Sequence, residues 1–490
     1  MGSRAQSKAY IRRPLLANRA VLRDGDSRKL PLTGFLLLTV LGSMLVLSSP
    51  AAFTSVGCGA TIKVSTTLAA DIGPCSGNGL VIGASGIALN CAGHTISGSS
   101  SSIGITLVGR TKVTVEDCNV TGFLEGIYLS KSPGNTLSKN TADKNGYGFF
   151  LDSASKTNKL TGNTANYDNN AGFYLYGSSG STLTGNTADS NGLYGFYLSG
   201  ASGNSVKSNT ANSNSFFGFY LVASTTDTLS TNTAKSNKNT GFFLSGSSSN
   251  TLSGNAASYS GSYGFYLYDG SSRNTLTGNR ASSNGQNGFY LSSSSNRNSL
   301  TGNTAQSNFN TGFYMSGSSS NTLATNTAKS NFYGFHLTGS SSNTLSENTA
   351  DKNGYDGICV TGSSSADTLT GNTAENNLLA GFCLSGSSSN SLSANTAKSN
   401  GLYGFDLSGA ASNTFTGNTA NGNDDDGFHL LGSSGNTLSG NTADSNTQYG
   451  YYDNSVGSGT AGTANRYSGD NCVSNGLGGS SPGGLGSPQF

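Results

Sequence analysis

The sequence predicts an all-β protein, a single-stranded right-handed parallel β-helix of about 17 turns with a period of about 23 residues. Three observations predict this solenoid. Copies of the phrase "GNTADSNGLYGFYLSG", Gly185 to Gly200, return along most of the 490-residue chain. The apolar residues keep a fixed place in each copy, and no copy has the apolar spacing of a helix. Such fixed places argue against disorder, despite a composition rich in Ser, Gly, Asn and Thr.

The chain divides into four predicted parts. Residues 1–52 are a basic leader with the apolar run "GFLLLTVLGSMLVL", which has the layout of a secretory signal peptide or, alternatively, an uncleaved anchor. Residues 53–122 form an N-terminal cap and first turns with cysteines, and residues 123–475 form the repetitive β-helix. Residues 476–490 are a flexible Gly/Ser/Pro tail. The repeats are therefore expected outside the cytoplasm, secreted, on the cell surface or in the periplasm.

The charge distribution argues against nucleic-acid binding. The formal net charge is +2, but much of the positive charge lies in the leader, so the repeats are mildly acidic. Phosphate binding needs Lys and Arg clustered on the folded surface.

Each repeat alternates inward and outward side chains. Phe196 and Leu198 are expected to point into the core and Tyr197 outward, because neighbouring residues of a strand face opposite sides. Leu183 and Ala188 begin two further interior columns. With no helix to cross over, the natural closure is a coil in which each turn bonds to the turns on either side.

Asparagine and glycine mark the bends of the coil. Asn186 and Asn191 each head a column whose stacked amides can donate to one neighbour and accept from the next. The glycine before each Phe, such as Gly195, is expected at a bend that needs positive φ. Two fainter copies, "GIAL" from Gly86 and "GITL" from Gly104, precede the regular ones.

The opening "GNGLVIGASGIALNCAGHTISG" and the repeated "NTL", "NTA" and "GFYL" segments resemble the NosD-like right-handed parallel β-helix repeat family. That family lies within the wider group of carbohydrate-binding and sugar-hydrolase β-helices. The resemblance covers roughly residues 57 to 475. It implies a coil that is typically exported and has carbohydrate or copper-site connections, and it implies no particular activity.

An outward aromatic column is the best candidate ligand-binding site. Stacked aromatics stabilise parallel strands, which is one interpretation of the column. An exposed aromatic stripe also suits the apolar faces and hydroxyls of a polysaccharide, which is the other. The column reads Tyr128, Phe150, Tyr174, Tyr197, Tyr220, Phe243, Tyr266, Tyr290 and Tyr314, and the binding candidates are Tyr174, Tyr197, Tyr220, Tyr266, Tyr290 and Tyr314.

The same column then changes to His336, Cys359, Cys383, Asp406 and His429. Neighbouring turns lie about 4.8 Å apart, so these side chains are candidates for a shared metal. A Zn or Cu site would use His336, Cys359, Cys383 or His429. A disulfide between Cys359 and Cys383 is the alternative, because the two cysteines occupy equivalent places on adjacent turns of an exported chain.

The remaining cysteines fit a capped solenoid. Cys58, Cys75, Cys91 and Cys118 cluster where the first turn would be open, and the favoured pairs are Cys58–Cys75 and Cys91–Cys118. Cys472 is left over and is expected to stay free or to bond another chain.

These patterns favour an exported, non-enzymatic β-helix protein that binds polysaccharide and acts as a scaffold. A polysaccharide lyase or glycoside hydrolase is the alternative, although no pair of converging acids stands out in the sequence. Asp424, Asp425 and Asp426 form an acidic run that either holds calcium or is a solvated turn. Ice binding by outward threonines such as Thr187 and Thr210 is a lesser alternative, as is copper or zinc handling.

Overall fold

The computed structural model describes residues 53–54 and 56–486, so the predicted leader lies outside the described residues. The described chain is a parallel β-solenoid of about 17 turns with a period of about 23 residues, as predicted. In this part of the chain, no helix is long and apolar enough to cross a membrane. The only helical element in the same range is a 3-10 turn, Thr460–Gly462.

The first sheet contains the Gly-Phe-x-Leu segments in 19 parallel strands. These strands are Ala60–Ile62, Leu80–Ile82, Ile103–Val108, Glu125–Ser130, Tyr147–Leu151, Ala171–Tyr176, Tyr194–Ser199, Phe217–Val222, Thr240–Ser245, Phe265–Tyr268, Phe289–Ser292, Thr311–Ser316, Tyr333–Thr338, Ile358–Thr361, Phe382–Ser385, Phe405–Ser408, Phe428–Leu431, Tyr449–Asp453 and Gly478–Ser481.

The second sheet contains the Thr-Leu segments, also in 19 strands. These strands are Phe53–Thr54, Thr66–Leu68, Ala88–Asn90, Thr114–Glu116, Thr136–Ser138, Lys159–Thr161, Thr182–Thr184, Ser205–Lys207, Thr228–Ser230, Thr251–Ser253, Thr275–Thr277, Ser299–Thr301, Thr322–Ala324, Thr344–Ser346, Thr368–Thr370, Ser391–Ser393, Thr414–Thr416, Thr437–Ser439 and Arg466–Ser468.

The third sheet contains the Thr-Ala segments in one part of four strands and one of 12. Single bridges through Thr164 and Thr187 connect the two parts. The strands are Ile72–Cys75, Thr95–Gly98, Asn119–Thr121, Thr141–Asp143, Thr210–Asn212, Thr233–Lys235, Ala256–Ser258, Arg280–Ser282, Thr304–Gln306, Thr327–Lys329, Thr349–Asp351, Thr373–Glu375, Thr396–Lys398, Thr419–Asn421, Thr442–Asp444 and Asn471–Val473.

The register confirms that equivalent residues of successive repeats are neighbours in space. Phe196 pairs with Phe219, and their rings stack with centroids 4.8 Å apart and planes 5° apart. Leu183 and Ala188 are fully buried on the other two sides of the coil. The fainter copy at Gly86 is the exception, because Leu89 pairs with Val115 in the second sheet. At that turn the first sheet uses Leu80 and Ile82 instead.

Amide ladders occupy the corners between the sheets. The side-chain NH2 of Asn186 donates to the Asn209 side-chain oxygen at 2.9 Å and to the Leu160 carbonyl at 3.1 Å. The same Asn209 oxygen accepts the Asn186 backbone N–H at 2.8 Å. The ladder through Asn191 and Asn214 is also present, and a third one runs through Asn204 and Asn250, which the sequence reasoning missed. Each ladder therefore connects successive turns through buried amides.

The chain bends at the residue that precedes each asparagine of the amide ladders. Gly185 and Ser208, which precede Asn186 and Asn209, have φ of 62° and 54°. The anchoring Gly195 does not, so the expectation of positive φ there is wrong. A Cβ on Gly195 would lie 2.7 Å from the Ala211 Cβ and 2.7 Å from the Gly218 carbonyl oxygen. Glycine is needed at this place because two sheets meet there with no room for a side chain.

Disulfides close the first turns. Cys58 is joined to Cys75 and Cys91 to Cys118, which are the favoured pairs. Cys472 is a free cysteine and is buried in the third sheet beside Ala443. It is therefore poorly placed to bond another chain.

The far end of the coil is closed by polar contacts and by residues assigned above to a flexible tail. Asp453 replaces the inward Leu of the last repeat, and its carboxylate accepts hydrogen bonds from Asn465 and from the Tyr467 hydroxyl, each at 2.9 Å. Gly478–Ser481 pairs with the preceding strand, and Leu485 is buried in the core. Residues 476–486 thus continue the solenoid, because their backbone completes the last sheet edge. Residues 487–490 lie outside the described residues.

Candidate functional site

The outward face of the first sheet carries a continuous column of stacked aromatic rings, which we name the tyrosine ladder. Parallel pairing places one ring on each turn, and adjacent rings from Phe150 to Tyr314 lie face to face. The centroids of Tyr174 and Tyr197 are 4.6 Å apart, and those of Tyr197 and Tyr220 are 5.0 Å apart. The ladder consists of Tyr128, Phe150, Tyr174, Tyr197, Tyr220, Phe243, Tyr266, Tyr290 and Tyr314, all of them half-buried.

The stacking determines what the ladder presents to solvent. Because the rings between Phe150 and Tyr314 are covered on both faces by their neighbours, a ligand there meets the ring edges and the phenol hydroxyls rather than open faces. Burial, together with neighbouring tyrosines, raises the pKa of Tyr174 and Tyr220 to about 12. Burial raises the pKa of Tyr266 to about 12 as well. The hydroxyls of these three tyrosines therefore remain protonated and can both donate and accept.

A second aromatic column runs beside the ladder, and the sequence reasoning missed it. It occupies the place directly before the anchoring glycine, where Tyr147, Tyr194, Phe217 and Tyr263 stand. Tyr194 lies 5.0 Å from Tyr197 and 5.1 Å from the Tyr220 ring on the next turn. Tyr194, before the glycine, and Tyr197, after it, therefore lie on the same face of the sheet. Strict alternation along a straight strand would place them on opposite faces. Aligning the residue immediately before the anchoring glycine in every repeat would have revealed this second aromatic column.

A groove of about 470 Å³ interrupts this aromatic surface after Tyr314. Cys359 and Cys383 stand at ladder positions on two adjacent turns, and their small side chains leave a depression between larger neighbours. We name this depression the acidic groove. The residues that matter for its chemistry are Tyr333, Tyr355, Asp356, Cys359, Cys383, Tyr403 and Asp406.

The floor of the acidic groove is a disulfide beside a buried carboxylate. Cys359 and Cys383 are joined, as one of the two predicted alternatives required. Asp356 is only 5% exposed, and one carboxylate oxygen accepts the Ala380 backbone N–H at 2.9 Å. Burial, with a smaller contribution from Asp406, raises the pKa of Asp356 to about 6. Asp356 directly precedes an anchoring glycine, at the same position as the second aromatic column, and the sequence reasoning did not consider that position.

The two histidines border the groove region from opposite ends. His336 contacts the hydroxyls of Thr361 at 3.0 Å and Thr338 at 3.1 Å, and burial lowers its pKa to about 4. His429 is hydrogen-bonded through Nδ1 to Asp406 at 2.9 Å. Its ring stacks on Tyr403 with centroids 4.1 Å apart.

The candidate metal ligands do not all come together in one place. Strand pairing places His336 one turn before Cys359 and His429 two turns after Cys383, so the histidines are roughly 19 Å apart along the coil. The structure instead brings Asp356 to within 4.8 Å of both sulfur atoms. Copper and zinc bind thiolates, and the closed disulfide offers none, so these residues do not fit such a metal in this state. A Zn or Cu site that uses His336, Cys359, Cys383 or His429 stays a prediction.

Other predicted sites lie apart from this face or at its margin. In the acidic run, Asp424 is exposed, while Asp426 is buried and accepts the Tyr449 backbone N–H at 2.9 Å. Calcium binding there stays a prediction. Thr187 and Thr210 lie in the third sheet, away from the tyrosine ladder, and ice binding also stays a prediction. Lys329 and Asp351, on that same sheet, form an ion pair at 2.9 Å.

Comparison with protein families gives two matches. The model described as "Periplasmic copper-binding protein (NosD)" matches residues 47–215 and 305–476. The model described as "Right handed beta helix region" matches residues 174–328 and 222–379. A search of curated proteins gives no match.

Solved structures similar to this chain include three carbohydrate-related proteins. The periplasmic alginate epimerase AlgG is 14% identical, with 63% of this chain and 74% of that chain covered and a TM-score of 0.27. The A-module of mannuronan C-5 epimerase AlgE6 from Azotobacter vinelandii is 13% identical, with 80% and 90% covered and a TM-score of 0.33. DFA-IIIase from Arthrobacter chlorophenolicus A6 is 13% identical, with 59% and 70% covered and a TM-score of 0.33.

At these identities and TM-scores, the solved structures carry no argument about what this chain does. The NosD matches, in contrast, together span more than half of the 490 residues. The first segment includes the opening turns and the ladder from Tyr128 to Tyr197, and the second includes Tyr314 and the acidic groove. The chain therefore belongs to the NosD family of right-handed parallel β-helix proteins.

Proposed function

We propose that this protein is exported, binds polysaccharide along the tyrosine ladder and serves as a scaffold rather than as an enzyme. The observation that supports the proposal is the unbroken row of half-buried aromatic side chains on one sheet. This row runs from Tyr128 to Tyr314 with ring spacings of about 5 Å. The disulfides support export, because such bonds persist in oxidising compartments outside the cytoplasm. We place the protein in the periplasm or on the cell surface.

The geometry suits a polymer better than a single small molecule. Phenol hydroxyls recur at about 4.8 Å intervals on two runs of three turns, Tyr174 to Tyr220 and Tyr266 to Tyr314, so a chain of sugar units can make the same hydrogen bond several times. Each exposed hydrogen bond contributes little on its own, but contacts that share one polymer add through effective concentration. Affinity should therefore rise with oligosaccharide length.

The experiment compares binding to a panel of neutral, acidic and amino polysaccharides by the wild type and by the triple variant Tyr174→Phe, Tyr197→Phe, Tyr220→Phe. Phe150 and Phe243 already occupy ladder positions, so phenylalanine preserves the stack while removing the hydroxyls. We expect the triple variant to bind the best polysaccharide about tenfold more weakly or worse, because several hydrogen bonds are lost together. Affinity electrophoresis measures the change.

The matched control is Tyr451→Phe, which removes a hydroxyl from the buried side of the same sheet. It should leave polysaccharide binding unchanged. Unaltered binding by the triple variant would contradict the ladder as the binding surface. New reducing ends or unsaturated products in the same incubations would contradict the scaffold function and favour a hydrolase or lyase.

Copper, which the family description names, is not part of this proposal. The cysteines of the acidic groove are joined to each other. The histidines are engaged by threonine hydroxyls and by Asp406.

A further inference from the structure

We propose that the acidic groove recognises the protonated amino group of an amino sugar in the bound polysaccharide. This inference rests on the proposed function and names the class of polysaccharide. The groove lies in the outward face of the first sheet, directly after the last tyrosine of the ladder. Tyr314 pairs with His336 and His336 with Cys359, so a polymer following the ladder reaches the groove within two turns.

The dimensions and walls of the groove suit one or two sugar units. Its volume of about 470 Å³ lies within the range of small-ligand pockets. Tyr333 and Tyr355 form one side, with ring centroids 5.0 Å apart, and Tyr355 is 37% exposed. Tyr403 forms the other side and has one ring face covered by His429. Unlike the ladder rings, Tyr355 and Tyr403 are not stacked on aromatic rings on both faces, which allows a sugar to pack against them.

The charges of the groove select a cation. Asp356 and Asp406 both line it, and no lysine or arginine does. Within the described residues, Asp356 uses one carboxylate oxygen for the Ala380 N–H, and no protein group hydrogen-bonds the other oxygen. That oxygen is not sealed from solvent, and Asp356 lines the groove, so it is an acceptor open to a donor bound there.

An ammonium group supplies both a hydrogen-bond donor for Asp356 and a positive charge to balance the aspartates. It carries three donors for the free carboxylate oxygen and neighbouring hydroxyls, and its charge is attracted to aromatic ring faces. Thr361, Ser385 and Ser408 add hydroxyls to the same groove for the remaining sugar oxygens. A uronic acid would bring its carboxylate against Asp356 and Asp406, and a neutral sugar would leave the aspartates without a counter-charge. The groove chemistry therefore favours glucosamine-type units over both.

Isothermal titration of the oxidised full chain tests the inference with three probes, the trimers of glucosamine, N-acetylglucosamine and galacturonic acid. The first two differ in N-acetylation, which removes the charge of each amino group and adds an acetyl group. We expect the glucosamine trimer to bind about tenfold more tightly than its acetylated counterpart, because a hydrogen bond to a charged group is worth more than a neutral one. The preference should shrink as salt is added.

The variant Asp356→Asn keeps an acceptor for the Ala380 N–H and removes the charge. It should abolish the preference for glucosamine, while the control Asp424→Asn, which changes an exposed carboxylate outside the groove, should retain it. Free glucosamine, added as a competitor, distinguishes recognition of any small amine from recognition within a polymer. Weak competition by the monomer and strong competition by the trimer support the polymer.

Equal affinities for the charged and acetylated trimers, or an unchanged preference in Asp356→Asn with a native unfolding midpoint, would overturn the inference. Failure of the proposed function gives a different pattern. If the proposed function fails, the triple tyrosine variant binds polysaccharide as well as the wild type does. That result is independent of how Asp356→Asn affects the binding of the trimers.

Discussion

At the scale of single residues, the amide ladders explain why asparagine is so frequent at the corners. An asparagine side chain donates to one turn and accepts from another, so its polar atoms are satisfied although it is buried. Aspartate replaces asparagine at Asp168, Asp227 and Asp367, and one carboxylate oxygen of each is buried without a hydrogen-bond partner. These oxygens occupy the place of the donating NH2 group, so a protonated carboxyl fits better than a carboxylate.

Asp168 gives the clearest prediction. Burial raises its pKa from 3.8 to about 9 in the folded chain, so the folded chain holds a proton that the unfolded chain releases. This contribution to stability is fully present below pH 3.8 and is lost as the pH rises towards about 9. We expect Asp168→Asn to raise the free energy of unfolding at pH 7 by about 1–3 kcal/mol, because it restores the missing donor.

Denaturant unfolding of wild type and Asp168→Asn across that pH range provides the measurement. The stability of the variant should depend less on pH, and the two proteins should converge at the acidic end. The control Asp424→Asn changes an exposed side chain and should follow the wild type. A variant less stable than wild type at pH 7 would show that the ladder tolerates a buried carboxylate.

At the scale of the elements, the anchoring glycines set how closely the first and third sheets approach. Gly195→Ala places a methyl group 2.7 Å from the Ala211 Cβ and 2.9 Å from the Asn214 side-chain nitrogen. We expect a loss of about 1–3 kcal/mol in the free energy of unfolding, as for other overpacked sites. Thermal and denaturant unfolding both report it.

Gly185→Ala is the matched control, because Gly185 has φ of 62° and open space around its Cα. Ala394 already occupies the equivalent place before Asn395 with φ of 52°. The control should therefore cost about 1 kcal/mol, the lower end of the penalty for an L-residue in the left-handed region. A larger loss from Gly185→Ala than from Gly195→Ala would mean that backbone conformation, not close packing, explains the anchoring glycines.

Sequence columns predicted most of the fold because every turn repeats the same contacts. The Phe196 stack, the ladder through Asn186 and the Cys359–Cys383 disulfide follow from residues one period apart. Contacts that join different columns were not predictable in this way. Tyr194 meets Tyr220, and Asp356 reaches the disulfide, only because the chain bends at the anchoring glycine.

The candidate site was predicted in part for the same reason. The tyrosine ladder is one column and could be predicted from the period alone. The acidic groove forms where the small side chains of Cys359 and Cys383 replace tyrosines of the ladder. Its other walls come from residues before the anchoring glycines, such as Asp356, which belong to a different sequence column. Gly478–Ser481 was missed because glycine and serine carry no apolar pattern, although their backbone completes the sheet.

At the scale of the whole molecule, the solenoid carries the tyrosine ladder on one face of its first sheet, where we propose that polysaccharide binds. Its described ends are closed, by disulfides at the first turns and by Asp453, Tyr467 and Leu485 at the last. Each turn contacts mainly its neighbours, so stability accumulates along the coil and no single turn folds alone. The central claim is that polysaccharide follows the tyrosine ladder along this coil.

A crystal structure of the protein with the strongest-binding oligosaccharide tests that claim most directly. We predict a sugar chain that spans several consecutive turns of the first sheet, with hydroxyls within hydrogen-bond distance of Tyr197 and Tyr220. The contradicting result is a sugar bound to the threonine columns of the second or third sheet, with the tyrosine hydroxyls left in contact with water.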